Sequence, residues 1–138
     1  MYARVMIDIA HANVDRLFTY AIPDQLTIRP GHRVLVPFGA GNKSVEGFVL
    51  EVTDTLDEEG FRLKNVLRAM EPYTALTGEQ IRLAYWIRDA YHCLLVDALR
   101  LMIPAQLRGG RVREKCVRTV ALAPGVDAQA ALASLKKK

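Results

Sequence analysis

Apolar and polar residues alternate on both sides of a glycine-rich break in residues 29–52, which read RPGHRVLVPFGAGNKSVEGFVLEV. The apolar positions share one face before the break and one face after it: Val34, Val36 and Phe38, then Phe48, Leu50 and Val52. A period of two is typical of a half-buried strand. The Gly-Ala-Gly-Asn run at residues 39–42 tolerates the positive φ that a tight reversal needs. The pattern predicts a β-hairpin as the centre of the fold.

Three more segments carry strand patterns. Residues 2–10 alternate, residues 17–22 are rich in aromatic and β-branched side chains, and residues 61–70 are apolar at most odd positions. In the second of these, Phe18 and Tyr20 fall on the same side. In the third, the even positions form a basic ladder of Arg62, Lys64 and Arg68. This ladder is either a solvated face or a phosphate-binding one.

The period changes from two to 3.6 at Thr77. Thr77 and Gln80 have the spacing of a capping box, in which each side chain satisfies a free backbone amide, so a helix is predicted from about residue 78 to 93. Its apolar stripe is predicted to be buried and contains Leu83, Trp86, Ile87, Ala90, Tyr91 and Leu94. A second helix is predicted over residues 97–103, ending at Pro104, with Ala98, Leu101 and Met102 directed inward.

These elements predict an α+β, β-rich fold: a small antiparallel β-barrel-like domain with C-terminal helices over residues 1–104. Residues 105–138 are predicted to be a basic linker followed by the truncated start of a second domain. That part holds a strand pattern at about 115–122 and a helix pattern after Asp127, too little to bury a core of its own.

The charge is unevenly distributed. The 138 residues carry a formal net charge of +4, yet residues 1–104 contain eleven Lys or Arg against thirteen Asp or Glu, a net charge of −2. Any nucleic-acid contact of the first domain is therefore expected to be a local site instead of a broad basic surface.

Composition also limits the classes of function. Cys93 and Cys116 are isolated and lack the spacing of a zinc site, and no histidine, cysteine or carboxylate group has catalytic spacing. The run at residues 39–44 departs from a phosphate-binding P-loop, which needs a helix after it. No signal peptide or long apolar run is present, so a cytoplasmic, membrane-free protein without enzymatic activity in these residues is expected.

Several segments together resemble the N-terminal domain of primosomal protein N′, the PriA family of bacterial replication-restart helicases. They are FTYAIP at 18–23, RPGHRVLVPFG at 29–39, GFVLEV at 47–52, LKNV at 63–66 and AYHCLLVDALRLMIP at 90–104. No single segment suffices, but the combination of an F-x-Y-x-IP element with PG-x-RV-x-VPFG is fairly specific. The resemblance covers residues 1–104.

The resemblance implies a domain that recognises the 3′ end of a nascent DNA strand at a stalled fork. Carried over position by position, the implied DNA-binding residues are Phe18, Thr19, Tyr20, Gly39 and Lys64. Thr19 stands where familiar members have Asp, so the acceptor for the 3′-hydroxyl is neutral in this chain.

The rest of the family's full-length protein is implied to lie beyond Lys138. Residues 111–138 resemble the start of its winged-helix domain, whereas the helicase motor with its ATP site and the zinc module would follow. No cofactor is expected in residues 1–138, and other primosome proteins are potential partners.

A non-catalytic β-module that serves protein interaction alone is the alternative function. The basic ladder beside the aromatic residues favours DNA binding, whereas the net charge of −2 favours protein interaction.

Overall fold

A computed structural model of the chain describes residues 1–56 and 63–105, together with the single positions 117, 121, 124, 125, 127 and 129. The strands are β1 (Tyr2–Ile7), β2 (Leu17–Ala21), β3 (Arg33–Phe38), β4 (Lys43–Thr53), β5 (Lys64–Asn65) and β6 (Arg68–Ala69). A short 3-10 helix, Ala12–Val14, precedes β2, and the helices α1 (Gly78–Tyr91) and α2 (Leu95–Leu101) follow the sheet. The strand and helix patterns after residue 110, and with them the second domain, lie outside the described residues.

The six strands form one sheet in the order β5-β2-β1-β4-β3-β6. Its pairs are antiparallel except for β2 with β5, which are parallel. The sheet curls into a half-barrel with two helices behind it, which confirms the α+β, β-rich fold. The predicted hairpin is β3 and β4, and both Gly39 (φ +71°) and Asn42 (φ +48°) in its turn adopt positive φ.

The single strand predicted over residues 61–70 is wrong. Lys64–Asn65 and Arg68–Ala69 lie at opposite ends of the strand order, because the chain crosses the open side of the curled sheet between them. During the crossing, the Val66 amide donates to the Ala21 carbonyl and the Leu67 amide donates to the Leu35 carbonyl, each at 2.9 Å. Lys64 and Arg68 therefore do not form one basic ladder, and Arg62 lies outside the described residues.

Both faces of the sheet are buried. The cluster inside the curl contains Ala3, Val5, Ile7, Tyr20, Ile28, Val34, Val36, Val49 and Val66. The cluster between the sheet and the helices contains Met6, Phe48, Leu50, Leu76, Ile81, Ala84, Leu95, Val96, Ala98, Leu99 and Ile103.

A β-bulge changes which β4 side chains face the helices. The register of β1 with β4 shifts between Arg4 and Val5, which pair with Glu51 and Val49. The extra residue reverses the alternation. Phe48 and Leu50 consequently pack under the helices while Val52 packs inside the curl, so the prediction that the three share one face is wrong at Val52.

Helix α1 begins where the capping box predicts. The Thr77 hydroxyl accepts from the Gln80 amide at 3.2 Å, and the Gln80 side chain accepts from the Thr77 amide at 2.8 Å. The predicted buried stripe is wrong at Leu83, Trp86 and Tyr91, which are 45%, 59% and 71% exposed. Ile87 and Leu94 of the same stripe do pack, partly buried, against the core. The helix instead buries Ile81 and Ala84.

Helix α2 begins two residues earlier than predicted. Its N-cap residue Leu94 makes no side-chain hydrogen bond, but an Asp15 carboxylate oxygen accepts from the Leu95 amide at 3.0 Å. Ala98 is buried as predicted, whereas Leu101 is 74% exposed, so its inward placement is wrong. Neither described helix is long and apolar enough to cross a membrane.

Two buried or half-buried ion pairs hold the helical part and the sheet together. The Arg33 guanidinium, 2% exposed, lies 2.7 Å from the Glu71 carboxylate just ahead of the helices. Arg100 on α2 donates to the Asp8 carboxylate at 2.6 Å, directly after β1. Both Asp8 and Asp15 thereby tie the segment between β1 and β2 to α2, which positions the start of β2.

Candidate nucleic-acid interface

The residues singled out from the sequence meet where β2 starts and β3 ends. Phe18 near the start of β2 and Phe38 at the end of β3 contact each other edge to face, with ring centroids 5.1 Å apart and an interplanar angle of 81°. Both rings are half-buried at the rim of the inner cluster. The rim therefore offers aromatic surface next to the glycine turn that follows Phe38.

Tyr20 supports this rim from within. Its side chain is only 4% exposed, and its hydroxyl donates to the Pro37 carbonyl at 3.2 Å. Burial raises the pKa of the Tyr20 hydroxyl to about 12, so it remains a donor over the neutral range. Because the ring is covered by protein, its faces are not open to a base. The contact ties β2 to the residues just before the turn.

Lys64 and Gly39 are in direct contact. The Lys64 ammonium donates to the Gly39 carbonyl at 3.0 Å. An ammonium has three donor positions, so two remain for other acceptors. A Cβ placed on Gly39 would meet nothing within 4 Å, so glycine is required there by its φ of +71° and the space beside it is open.

Thr19 faces the other way. It pairs with Arg4 across β1 and β2, which places its side chain on the face opposite to that of Phe18 and Tyr20. Arg4 in turn lies 3.5 Å from the Glu51 carboxylate. The structure thus groups Phe18, Tyr20, Gly39 and Lys64 but leaves Thr19 on the far side of the same strand.

The open edge of β2 lies between the face that carries Phe18 and the face that carries Thr19. β5 pairs with β2 only at Tyr20 and Ala21, so within the described ranges no strand pairs with Leu17–Thr19 on that side. A ligand docked at this open edge can reach Phe18 on one face and Thr19 on the other.

The start of β2 carries a residue that the sequence analysis missed. The guanidinium carbon of Arg16 lies 4.9 Å from the centre of the Phe18 ring. Arg16 and Phe18 are two positions apart, which places both side chains on one side of an extended chain. This spacing could have identified Arg16 from the sequence. Phe38 was assigned only to a strand face, although it directly precedes the glycine of the turn.

The charges at this end of the sheet are cationic. Arg16, Lys43 and Lys64 lack a carboxylate at salt-bridge distance within the described part of the chain, whereas Arg4, Arg33, Arg88 and Arg100 are ion-paired. Lys43 pairs with Phe38 across the hairpin, next to the turn. No group of three or more potential metal ligands occurs in the described ranges. Aromatic surface, an open backbone and free cations together suit a nucleotide and its phosphates.

Comparisons with known proteins agree with this chemistry. A family model of PriA described as the 3′ DNA-binding domain matches residues 4–104. The replication restart protein PriA of Bacillus subtilis (strain 168) is 35% identical over 129 residues, which are 91% of this chain and 16% of that protein.

Two further relatives match with similar coverage. PriA of Haemophilus influenzae is 31% identical over 104 residues, 75% of this chain and 14% of the relative. The probable PriA of Mycobacterium tuberculosis is 35% identical over 122 residues, 87% of this chain and 17% of the relative. The chain thus spans roughly one-sixth of the length of these relatives.

Replacement of Tyr20 by Phe should weaken the fold by about 1 kcal/mol at pH 7, because it removes the hydroxyl donated to Pro37. This difference should shrink as the pH rises. Between pH 10 and about 12 the unfolded wild-type chain releases the Tyr20 proton while the folded chain retains it, so the wild-type protein loses stability that the variant cannot lose. At pH 11 that loss is about 1.4 kcal/mol, which exceeds the roughly 1 kcal/mol assigned to the hydrogen bond, so the variant should by then be slightly more stable than the wild type.

The measurement is urea unfolding of both proteins at pH 7 and pH 11. Tyr73, which is 58% exposed, provides the matched control Tyr73→Phe, for which no such convergence is expected. A stability difference between the Tyr20→Phe variant and the wild type that stays constant with pH would contradict the pKa that burial raises, whereas equal stability at pH 7 would contradict the hydrogen bond to Pro37.

Proposed function

Because this chain belongs to the family of PriA 3′ DNA-binding domains, we propose that its first 104 residues bind the 3′ end of a nascent strand at a stalled replication fork. The terminal nucleotide docks at the open edge of β2. The observation that carries this proposal is the grouping of Phe18, the Gly39 turn and three free cations at one end of a domain that is negatively charged as a whole.

The terminal base stacks against the Phe18 side of the edge. Phe18 is half-buried and braced by Phe38, so its ring is held in place before a base arrives. A preorganised ring loses little side-chain entropy on binding. Tyr20 contributes by positioning the end of β3 through Pro37 instead of stacking on the base.

The phosphate of the terminal nucleotide lies next to Lys64. The ammonium is already held by the Gly39 carbonyl, with donors left for phosphate oxygens. Open space beside Gly39 allows the DNA backbone to approach the turn closely. Fork recognition by these residues thus combines one stacking contact with one charged contact.

The 3′-hydroxyl is recognised from the opposite face of the edge. The Thr19 hydroxyl can accept a hydrogen bond from it, although a neutral acceptor forms a weaker bond than a carboxylate. Arg4, which pairs with Thr19 across the sheet, is held by Glu51 and so does not attract the DNA phosphate directly.

These residues bind DNA without a cofactor in this proposal. The proposal assigns ATP hydrolysis and zinc binding to parts of the family's longer proteins that this chain does not match; the chain spans 16% of the Bacillus subtilis relative.

Replacement of Phe18 by Leu should weaken binding of a short single strand by about 1 to 3 kcal/mol, since leucine retains bulk but lacks the face on which a base stacks. Lys64→Gln should instead reduce the steepness of log affinity against log salt by roughly 0.7, the effect of one lost phosphate contact. Fluorescence anisotropy over a salt series measures both.

The matched controls are Tyr73→Leu for the aromatic ring and Arg82→Gln for the cation. Arg82 is exposed on α1, which packs on the face of the sheet opposite to that of Phe18. An equal loss of slope in Arg82→Gln and Lys64→Gln would show that binding follows overall charge and would reject the site.

The 3′ end itself can be tested by competition between strands that carry a free 3′-hydroxyl and a 3′-phosphate. The wild-type chain should prefer the free hydroxyl, and Thr19→Val should reduce the preference because it removes the acceptor. Thr19→Asp should increase it by about fivefold through a charge-assisted bond. Equal affinity for the 3′-hydroxyl strand and the 3′-phosphate strand in all three proteins would reject recognition of the 3′ end, even if DNA still bound.

We also propose that α1 contacts another protein of the primosome. The support is the exposed pair Trp86 and Tyr91, whose rings meet edge to face at 6.2 Å on the outer side of the helix. Large aromatic side chains exposed as a pair are typical of protein contact sites.

Trp86 is the sole tryptophan of the chain, so its fluorescence reports on this surface. Titration with purified primosome proteins should shift its emission to shorter wavelength as water is excluded, and Trp86→Ala should reduce that protein's affinity while DNA binding is unchanged. A shift produced by DNA alone, or unchanged affinity in Trp86→Ala, would contradict a separate protein-binding face.

A further inference from the structure

Arg16 stands out as a cation whose described partner is an aromatic ring. Its guanidinium lies 4.9 Å from the centre of Phe18, and the side chain is exposed to solvent. None of the described carboxylates is at salt-bridge distance from it.

The neighbouring carboxylates have other partners. Asp15, the residue before Arg16, accepts from the Leu95 amide at 3.0 Å, and Asp8 pairs with Arg100 at 2.6 Å. Asp15 keeps its negative charge, but its carboxylate is directed to Leu95, and Arg16 forms no ion pair with a described carboxylate. Arg16 is available to an anion that approaches the open edge of β2.

The backbone that carries Arg16 is anchored. Its amide donates to the Val14 carbonyl at 2.8 Å, and the bond from Asp15 to Leu95 ties the preceding residue to α2. The side chain can thus change rotamer while its Cα stays in place, directly beside the ring assigned to the terminal base.

The Arg16 guanidinium covers a face of the Phe18 ring, so a base cannot stack on that face at the same time. A guanidinium and a base both occupy an aromatic face at stacking distance, so one must leave before the other enters. An exposed cation–π contact favours the covered state by only about two- to fivefold, which a bound base and phosphate readily overcome.

We propose that Arg16 is a second phosphate-binding residue of this site, which covers the Phe18 ring in the free protein and turns to the phosphate adjoining the terminal nucleotide when the base takes its place. This inference rests on the proposed function. Arginine suits both states, because its planar guanidinium stacks on a ring and also donates two parallel hydrogen bonds to a phosphate.

Because Arg16 moves from the Phe18 ring to a phosphate when DNA binds, its effect on affinity differs from that of a cation that adds only positive charge. Its removal takes away a phosphate contact but also uncovers the ring, so the two effects oppose each other. The loss of affinity in Arg16→Gln should be largest at low salt and should shrink by about fivefold for each tenfold rise in salt, equivalent to a slope change of roughly 0.7.

The test uses the 138-residue chain and a short single strand with a free 3′-hydroxyl in an anisotropy salt series. Arg16→Gln should lower the slope by roughly 0.7, whereas Arg16→Lys should retain it because the charge remains. The matched control is Arg82→Gln, which removes the same charge from the exposed side of α1 and should leave the slope unchanged.

A second readout follows the exchange directly. The Arg16 Nε–H resonance is expected to be shifted upfield by the Phe18 ring in the free protein and to move downfield when the strand is added. In Phe18→Leu the free protein should lack the upfield shift.

The outcomes separate the two proposals. An unchanged slope in Arg16→Gln, an equal change in Arg82→Gln, or a resonance unmoved by DNA overturns the role of Arg16 while the loss of binding in Phe18→Leu still supports the site. Absence of salt-dependent binding by the wild-type chain overturns both.

Discussion

The crossing of the chain between β5 and β6 is the constraint on which the site depends. Consecutive amides, those of Val66 and Leu67, donate to carbonyls on β2 and β3, which are not neighbours in the strand order. The two backbone bonds draw the ends of the curled sheet together across its open side. Only in this arrangement can Lys64 reach the turn after β3 while Tyr20 on β2 holds the carbonyl before that turn.

The domain has a net charge of −2, yet it belongs to a DNA-binding family. The pairing of its charges explains how both can hold. Four described arginines are ion-paired with carboxylates, and three of the pairs connect separate segments: Arg4 with Glu51, Arg33 with Glu71, and Arg100 with Asp8. Arg16, Lys43 and Lys64 have no carboxylate at salt-bridge distance within the described ranges. Unpaired cations thus occur beside the Phe18 ring and the turn of a domain whose net charge is negative, and the attraction of DNA should be weaker at long range than that of a broadly basic protein.

The sequence was sufficient for elements whose signal is local. The hairpin followed from its period of two and its glycine turn, and α1 followed from the Thr77 capping box. The buried face of α1 could not be predicted, because residues 81, 83, 84, 85, 86 and 87 are all apolar and cover most of the helix circumference. The split of residues 61–70 was equally hidden, since an alternating pattern reads the same whether one strand continues or the chain crosses between two edges.

The family resemblance identified candidate residues of the site, but it did not reveal the contacts between them. Phe18, Gly39 and Lys64 come together through contacts between β2, the turn and β5 that no spacing along the chain reveals. The burial of Tyr20 depends on the curl of the whole sheet, and the contact of Arg16 with Phe18 depends on where α2 holds Asp15.

The geometry of the β2 edge offers a physical reason for preferring the end of a strand. The edge is open along Leu17–Thr19 and closes at Tyr20, where Lys64 of β5 begins to pair. In the proposed docking, a DNA strand whose 3′ end is directed toward β5 would meet the paired part of the sheet at that point, so an internal nucleotide would have no room for its next phosphodiester. A terminal nucleotide has no such continuation. Under this proposal, selection of the 3′ end combines exclusion by β5 with the hydrogen bond that the 3′-hydroxyl donates to Thr19, and the neutral acceptor at residue 19 still leaves a preference for strand ends.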